Sequence, residues 1–176
     1  MPPIPGSLPS DAPMTGFSEA SPFQSLCDEL ESLWHEGIPL TIPLGVKVRY
    51  FDGETLELAA DLEPNRNVHG TAFAGSLYAI TALCGWSMLH LQLARRDLTA
   101  AIVIASGQIN YPRPVAETIV ARCSFGDQEA ALRDLEKDGR MRIHLTASVA
   151  ANGVEAAVFE GDFSARSAAP AWLNGL

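Results

Sequence analysis

The feature that most constrains the fold is the segment from Asn65 to Ala94, NRNVHGTAFAGSLYAITALCGWSMLHLQLA. Its first third is small and polar, and after Arg66 it has no Asp, Glu, Lys or Arg until Arg95. The pattern predicts a helix over 71–94 that is buried nearly all round, because a helix without a polar face has no side to turn to water.

The start of this predicted helix is a candidate functional site. The first turn of a helix has backbone N–H groups without intrahelical acceptors and the positive end of the helix dipole, so it attracts negative charge. A core helix without function is the alternative, and only the polar cluster at the helix start argues against it. That cluster comprises Asn67, His69, Gly70, Thr71, Gly75 and Ser76.

Residues 71–94 are also long enough to cross a bilayer. Six polar residues inside the run and amphipathic strand patterns on both sides favour a buried helix in a soluble, cytoplasmic protein. The polar residues are Thr71, Ser76, Thr81, Ser87, His90 and Gln92.

Length and charge narrow the function classes. The 176 residues fit one domain, predicted over 21–166, between an N-terminal tail (1–20) and a C-terminal tail (167–176). A net charge of -9 argues against nucleic acid as a partner. Three scattered cysteines fit reduced thiols of the cytosol better than a disulfide framework. The N-terminus has neither the basic nor the apolar region of a signal peptide.

The rest of the chain alternates between apolar and polar residues, as half-buried antiparallel strands do. Two turn signals, Asp52-Gly53 and Asn152-Gly153, predict hairpins. The fold class is therefore α+β, an antiparallel sheet wrapped around the long central helix. The predicted elements are, in order, a helix over 21–37, strands over 44–50 and 56–62, the central helix, strands over 100–111 and 118–125, a short helix over 127–137, and strands over 141–149 and 154–165.

The order of elements and the motif N-x-H-G-T-x-F-x-G-S-L-Y, from Asn67 to Tyr78, resemble the hot-dog fold of acyl-thioester enzymes. More narrowly, HEGIPLTIPLGVKV through GWSMLHLQL is similar to the thioesterase domain at the C-terminus of YiiD-like acyltransferase fusions. The resemblance covers about residues 22–165. It implies homodimers, or dimers of dimers, whose sheets join edge to edge with active sites at the interface.

The resemblance also implies roles for residues at the helix start. Asn67 would contact or orient the thioester, and backbone N–H groups near Ala74 and Gly75 would form an oxyanion hole. Thr71 and Ser76 would add hydroxyl donors, although either could equally be an N-cap. His69 and Gly70 would line the substrate site, with His69 favoured as a donor within the loop over His69 as a base.

One position departs from many hot-dog hydrolases, which have an Asp two turns into this helix. The alignment places Ala82 there, so hydrolysis lacks its usual base or nucleophile. Glu63 or a partner residue could replace it. Decarboxylation of a malonyl thioester is the alternative reaction, since it needs an oxyanion hole but no protein carboxylate, and Ala82 would leave room for the substrate's own carboxylate. A third alternative is a non-catalytic acyl-thioester binder.

The acyl carrier would be coenzyme A or an acyl carrier protein. Arg113, in Pro-Arg-Pro, and the pair Arg95 and Arg96 are candidates for contacting its phosphates or acidic surface. Solvation alone is the simpler interpretation of any single arginine. The four histidines have no metal-ligand spacing with cysteines or carboxylates, and no Walker-type phosphate loop occurs. No metal or cofactor is therefore expected.

Overall fold

A computed structural model describes residues 22–167, so both predicted tails lie outside the described residues apart from Ser167. Within these residues the structure has four α-helices, six strands and a short 3-10 helix (Glu63–Asn65). The helices are α1 (Gln24–Gly37), α2 (Thr41–Leu44), α3 (Ala74–Ala94) and α4 (Glu129–Asp138), and the strands are β1 (Lys47–Phe51), β2 (Thr55–Ala60), β3 (Ala101–Asn110), β4 (Ile119–Ser124), β5 (Arg140–Ala151) and β6 (Val154–Arg166).

The six strands form one antiparallel sheet in the order β1-β2-β4-β5-β6-β3. The central helix α3 packs on one face of this sheet and contacts β2, β3, β4, β5 and β6. Alternate residues of each central strand are buried against it, as along β5, where every second residue from Met141 to Ala151 is buried. The α+β class predicted from the sequence is confirmed.

The central helix begins three residues later than predicted. Thr71 lies in a turn, Gly70 has a φ of +79°, and Phe73 is extended, so helical geometry starts only at Ala74. The alternative of Thr71 or Ser76 as the N-cap is wrong, because Phe73 occupies that position.

Two other element boundaries differ from the prediction. The short helix α2 occupies the predicted start of the first strand, and Gly45, with a φ of +65°, ends it before β1 begins at Lys47. Helix α1 begins at Gln24 with Phe23 as its N-cap, so Pro22 is not the first helical residue, and Ser21 lies outside the described residues.

The helix α3 is mostly but not completely enclosed. Twelve of its 21 residues are buried. In its most apolar stretch of 18 residues, 61% is buried. Its length and composition would also permit a membrane span, but this burial is that of a core helix in an α+β domain. A stripe at helical spacing stays partly exposed: Tyr78, Ala79, Ala82, Leu83, Trp86 and His90.

Strand β3 lies at the edge of the sheet. It pairs with β6 on one side, and within residues 22–167 no strand pairs with its other side. Val103 and Ile104 of β3 are each 44% exposed. An unpaired, apolar edge strand of this length is a template for pairing with another chain.

The three cysteines are buried and unpaired. Burial raises the pKa of the Cys84 thiol well above its usual value and raises the pKa of Cys123 to about 12. A thiol with such a pKa stays protonated at neutral pH and is a poor nucleophile. Cys84 and Cys123 are therefore core residues.

Candidate active site

The loop before α3 is held together by the side chain of Asn67. Its Nδ2 donates to Thr71 Oγ1 (3.0 Å) and to the Ala72 carbonyl (3.1 Å). Its Oδ1 accepts from the backbone N–H groups of His69 (2.8 Å) and Thr71 (3.2 Å). Both amide protons and both acceptor sites of Asn67 are thus used inside the loop. Asn67 and Thr71, predicted from the sequence as catalytic residues, stabilise each other here.

Three successive residues at the entry to α3 are each tied to a different partner. The Ala72 N–H donates to the Val115 carbonyl, and the Phe73 N–H donates to the Asn65 carbonyl, both at 2.7 Å. The Ala74 carbonyl accepts a hydrogen bond from Tyr111 Oη at 3.0 Å. The position of the first helical turn is therefore fixed from both sides.

The first turn of α3 has unused backbone donors. The first intrahelical hydrogen bond runs from the Leu77 N–H to the Phe73 carbonyl (3.0 Å), so the N–H groups of residues 74–76 have no acceptor within the helix. No side chain in the described part of the chain caps this turn. Ala74 and Gly75 are exposed, and Ser76 is buried. The geometry provides an accessible set of aligned donors for an oxygen that carries negative charge.

The ring of Phe73 lies over Gly75. A Cβ atom placed on Gly75 would lie 2.3 Å from Phe73 Cε1, so only glycine fits beneath the ring in its present position. Phe73 itself is 56% exposed, which leaves room for the ring to move. Gly75, predicted from the sequence as part of the site, is thus placed directly in the accessible turn.

Two tyrosines near this turn were missed by the sequence analysis. Tyr111 follows β3 and reaches Ala74, while Tyr78 lies one turn into α3 and packs edge-on against Phe159. Burial, followed by the proximity of Tyr78, raises the pKa of Tyr111. The one available signal was the position of Tyr111 immediately before Pro112, which ends β3.

Ala82 lines an apolar groove beside α3 with a volume of about 200 Å³. None of the residues that line the groove is charged, and only Thr41 and Trp86 among them have a polar atom in the side chain. At the far end the Trp86 indole N–H donates to the Ile102 carbonyl (3.3 Å), and its ring stacks on His90. The groove lining is Ile38, Leu40, Thr41, Leu44, Ala79, Ala82, Leu83, Trp86, Ile104 and Phe163.

The other candidate residues lie apart from the first turn or are already paired. Glu63 forms an exposed ion pair with Arg66 (3.0 Å). Arg95 donates to the Gly53 carbonyl (2.5 Å), and Arg96 pairs with Glu129, both at the opposite end of α3. Arg113 is exposed, two residues beyond Tyr111. His69 and Gly70 are exposed in the loop.

Metal chemistry finds no support in the described residues. Within 22–167, no three His, Cys, Asp or Glu side chains come together as a potential metal site.

A hollow of about 700 Å³, larger than the groove beside Ala82, lies on the opposite face of the sheet. Its two arginines, Arg49 and Arg122, both lie within 4 Å of Glu57, at 3.9 and 3.4 Å. Their charge is thus partly neutralised.

Residues 27–167 match the model of the family described as "Putative thioesterase (yiiD_Cterm)". The chain belongs to this family. A solved "putative thioesterase" from Shewanella oneidensis is 30% identical to this member of the YiiD C-terminal family, with a TM-score of 0.77 over 81% of this chain and 98% of that one. The protein OLEI01261 of unknown function from Chlorobaculum tepidum gives a TM-score of 0.80 at 28% identity, over 84% and 98% of the two chains.

A third structure, PA5026 from Pseudomonas aeruginosa, described as a probable thioesterase, has a TM-score of 0.67 over 80% of this chain and 95% of that one. At 16% identity it supports the fold alone. The hot-dog fold expected from the sequence is confirmed.

Proposed function

We propose that the protein is an acyl-thioester enzyme that binds the thioester carbonyl at the start of α3. The observation that carries this proposal is the uncapped first turn, where Ala74 and Gly75 are exposed and the N–H groups of residues 74–76 have no acceptor among residues 22–167. Donors fixed before the reaction stabilise the oxyanion that develops on the carbonyl. In this arrangement Asn67 orients the loop, while Ala74 and Gly75 supply the donors.

The groove beside Ala82 supports an acyl group as the other part of the substrate. Ala82 lies two turns beyond Gly75, about 10 Å along the helix at 1.5 Å per residue. The groove lining is uncharged, so it suits the apolar part of an acyl chain rather than the phosphates of a carrier. Arg113, exposed two residues beyond Tyr111, is the residue we propose for the carrier phosphates or an acidic carrier protein.

Hydrolysis, the reaction in the family's description, requires an activated water molecule. The sequence from Asn67 to Ala94 contains no Asp or Glu, and Glu63 is paired with Arg66. A base from a partner subunit would supply this activation, or Glu63, whose ion pair with Arg66 is exposed and therefore weak.

Malonyl-thioester decarboxylation is the second candidate, and the uncharged surroundings of Ala82 favour it. The bond between the α-carbon and the carboxyl group breaks, and its electron pair passes to the thioester carbonyl as an enolate. Carbon dioxide leaves, and a proton from water completes an acetyl thioester. The enolate oxygen would accept from the same N–H groups as the oxyanion of hydrolysis.

Mass spectrometry of products tests both candidates directly. The protein would be incubated with acyl- and malonyl-thioesters of coenzyme A and of an acyl carrier protein. Free acids identify a hydrolase, whereas acetyl thioester and carbon dioxide identify a decarboxylase. Binding of a thioester without any product would favour a non-catalytic binder, and neither binding nor product would refute the proposal.

Ala82→Asp is expected to separate the two reactions in the same panel. A carboxylate here would repel the carboxylate of a malonyl group in a partly dry groove. The rate of decarboxylation should fall about tenfold or more, because a repulsion of about 1.4 kcal/mol, equivalent to one pKa unit, corresponds to a factor of ten. Hydrolysis of simple acyl thioesters should be retained or increased. Burial raises the pKa of such an Asp, so the effect should strengthen as the pH rises through that pKa and the group ionises.

Ala82→Asn is the matched control, with nearly the same shape and no charge. Equal losses of decarboxylation in the Asp and Asn variants would mean that shape rather than charge is responsible, and would contradict this reasoning.

We also propose that the protein is a homodimer, or a dimer of dimers, in the cytoplasm. The unpaired edge of β3 and the exposed side chain of Ile104 support pairing between two copies, and three unpaired cysteines support a reducing compartment.

Light scattering of the purified protein should give a mass twice or four times that of one chain. Ile104→Lys should lower that mass, whereas Val154→Lys, at an exposed apolar residue elsewhere, should not. A monomeric wild-type protein would contradict the proposal.

A further inference from the structure

We propose that Tyr111 is a positioning residue, whose hydroxyl fixes the first turn of α3 in the orientation that the thioester carbonyl requires. The inference rests on the proposed function, since it concerns the same N–H groups. Tyr111 Oη donates to the carbonyl of Ala74, the first residue of the helix, at 3.0 Å.

This hydrogen bond differs from the backbone hydrogen bonds of Ala72 and Phe73 at the helix entry. The bonds of Ala72 and Phe73 are made between backbone atoms and hold the loop before the helix. Tyr111 is bonded to the helix itself, across 37 positions in the sequence. Its backbone is held in turn by the end of β3, whose Asn110 pairs with Val158 of β6. Tyr111 thereby links the first residue of α3 to the sheet, one turn before Tyr78, whose hydroxyl donates to the Gly107 carbonyl of β3 at 3.4 Å.

The hydrogen bond from Tyr111 to the Ala74 carbonyl depends on the phenol proton. A tyrosine hydroxyl can donate to a carbonyl oxygen only while it is protonated, and burial raises the pKa of Tyr111, so the donor persists at neutral and mildly alkaline pH. Phenylalanine keeps the ring but has no donor. Without the bond, the helix start can shift relative to the substrate, and a displacement of about 1 Å can lower a rate by about a hundredfold.

Tyr111→Phe in the full-length protein tests the inference, with Tyr50→Phe as the matched control. Tyr50 is similarly exposed, 47% against 43% for Tyr111, and its hydroxyl makes a comparable hydrogen bond, 2.8 Å to Asp52, on β1. Both variants lose one phenol hydrogen bond, and only Tyr111 is bonded to α3. For the thioester that the wild-type protein converts fastest, we expect kcat to fall about tenfold in Tyr111→Phe, within the range for misplaced reacting groups.

Three further measurements complete the test. KM should be unchanged in Tyr111→Phe, the melting temperatures of the two variants should be similar, and the hydrogen-bonded amides of Leu77 and Tyr78 should exchange hydrogen faster in Tyr111→Phe alone. Equal kcat values in the two variants would overturn the inference. A raised KM with unchanged kcat would also overturn it, since Tyr111 would then be a substrate contact.

Failure of the proposed function has a separate signature. In that case the wild-type protein converts no thioester in the panel, and the inference is judged by exchange alone. Faster exchange at Leu77 and Tyr78 in Tyr111→Phe supports the positioning role, and unchanged exchange overturns it.

Discussion

Gly75→Val is expected to lower thioester turnover by about a hundredfold or more, the loss typical of a disabled oxyanion donor. The added Cβ would lie 2.3 Å from the Phe73 ring, and the branched side chain would stand beside the N–H groups that the carbonyl must reach. Phe73 is half exposed and can swing outward, so the fold should persist. Steady-state kinetics with the best substrate of the panel, together with circular dichroism, would measure both effects.

Two controls separate the possible causes of this loss. Phe73→Ala shows how much activity depends on the ring alone, and Phe73→Ala combined with Gly75→Val removes the clash while keeping the valine. We expect the double variant to stay inactive, because the valine still crowds the carbonyl. Recovery of turnover in the double variant would show that displacement of Phe73 causes the loss. Undiminished turnover in Gly75→Val would place the oxyanion hole elsewhere.

The second large effect is expected from Asn67→Ala, with a loss of turnover of about a hundredfold. The substitution removes four hydrogen bonds inside the loop, so the donors at the start of α3 lose their fixed orientation. The effect should be the same for hydrolysis and decarboxylation, since both place negative charge on the same oxygen. Initial rates and the melting temperature would be measured side by side.

Asn67→Asp is the matched variant, because it retains the two acceptor contacts and loses the two donor contacts. If Asn67 acts through the loop, Asp should restore part of the melting temperature and part of the rate together. A variant that regains its stability but no activity would indicate that the amide contacts the thioester directly, which would contradict the positioning role of Asn67.

The sequence predicted the fold well because its signals are local. Alternating strands, the Asn152-Gly153 turn and the uncharged run of α3 each depend on neighbouring residues. The start of α3 was misjudged because the hydrogen bonds of Asn67 hold Thr71 out of the helix. Polar residues at a helix start do not reveal whether they cap the helix or form the loop before it.

The candidate site was predicted only in part for a related reason. Gly75 and Ala74 lie where the motif places them, in the exposed first turn. The contact of Tyr111 with Ala74 depends on how β3 returns along the sheet, and the proline after Tyr111 marks the end of the strand without revealing this contact. The motif leaves open whether Asn67 contacts or orients the thioester. Its side-chain amide is engaged in the loop, which favours the orienting role, and this distinction depends on side-chain geometry.

The uncapped start of α3 has a consequence for the energetics of the domain. A serine or aspartate at the position of Phe73 would stabilise a helix by about 1 kcal/mol, so the fold is locally less stable than its backbone allows. Under the proposed function, the thioester oxygen would supply the missing acceptor, and a ligand that binds only the folded state raises its resistance to unfolding. The same unfilled donors that would bind the substrate would then make the stability of the domain depend on substrate concentration.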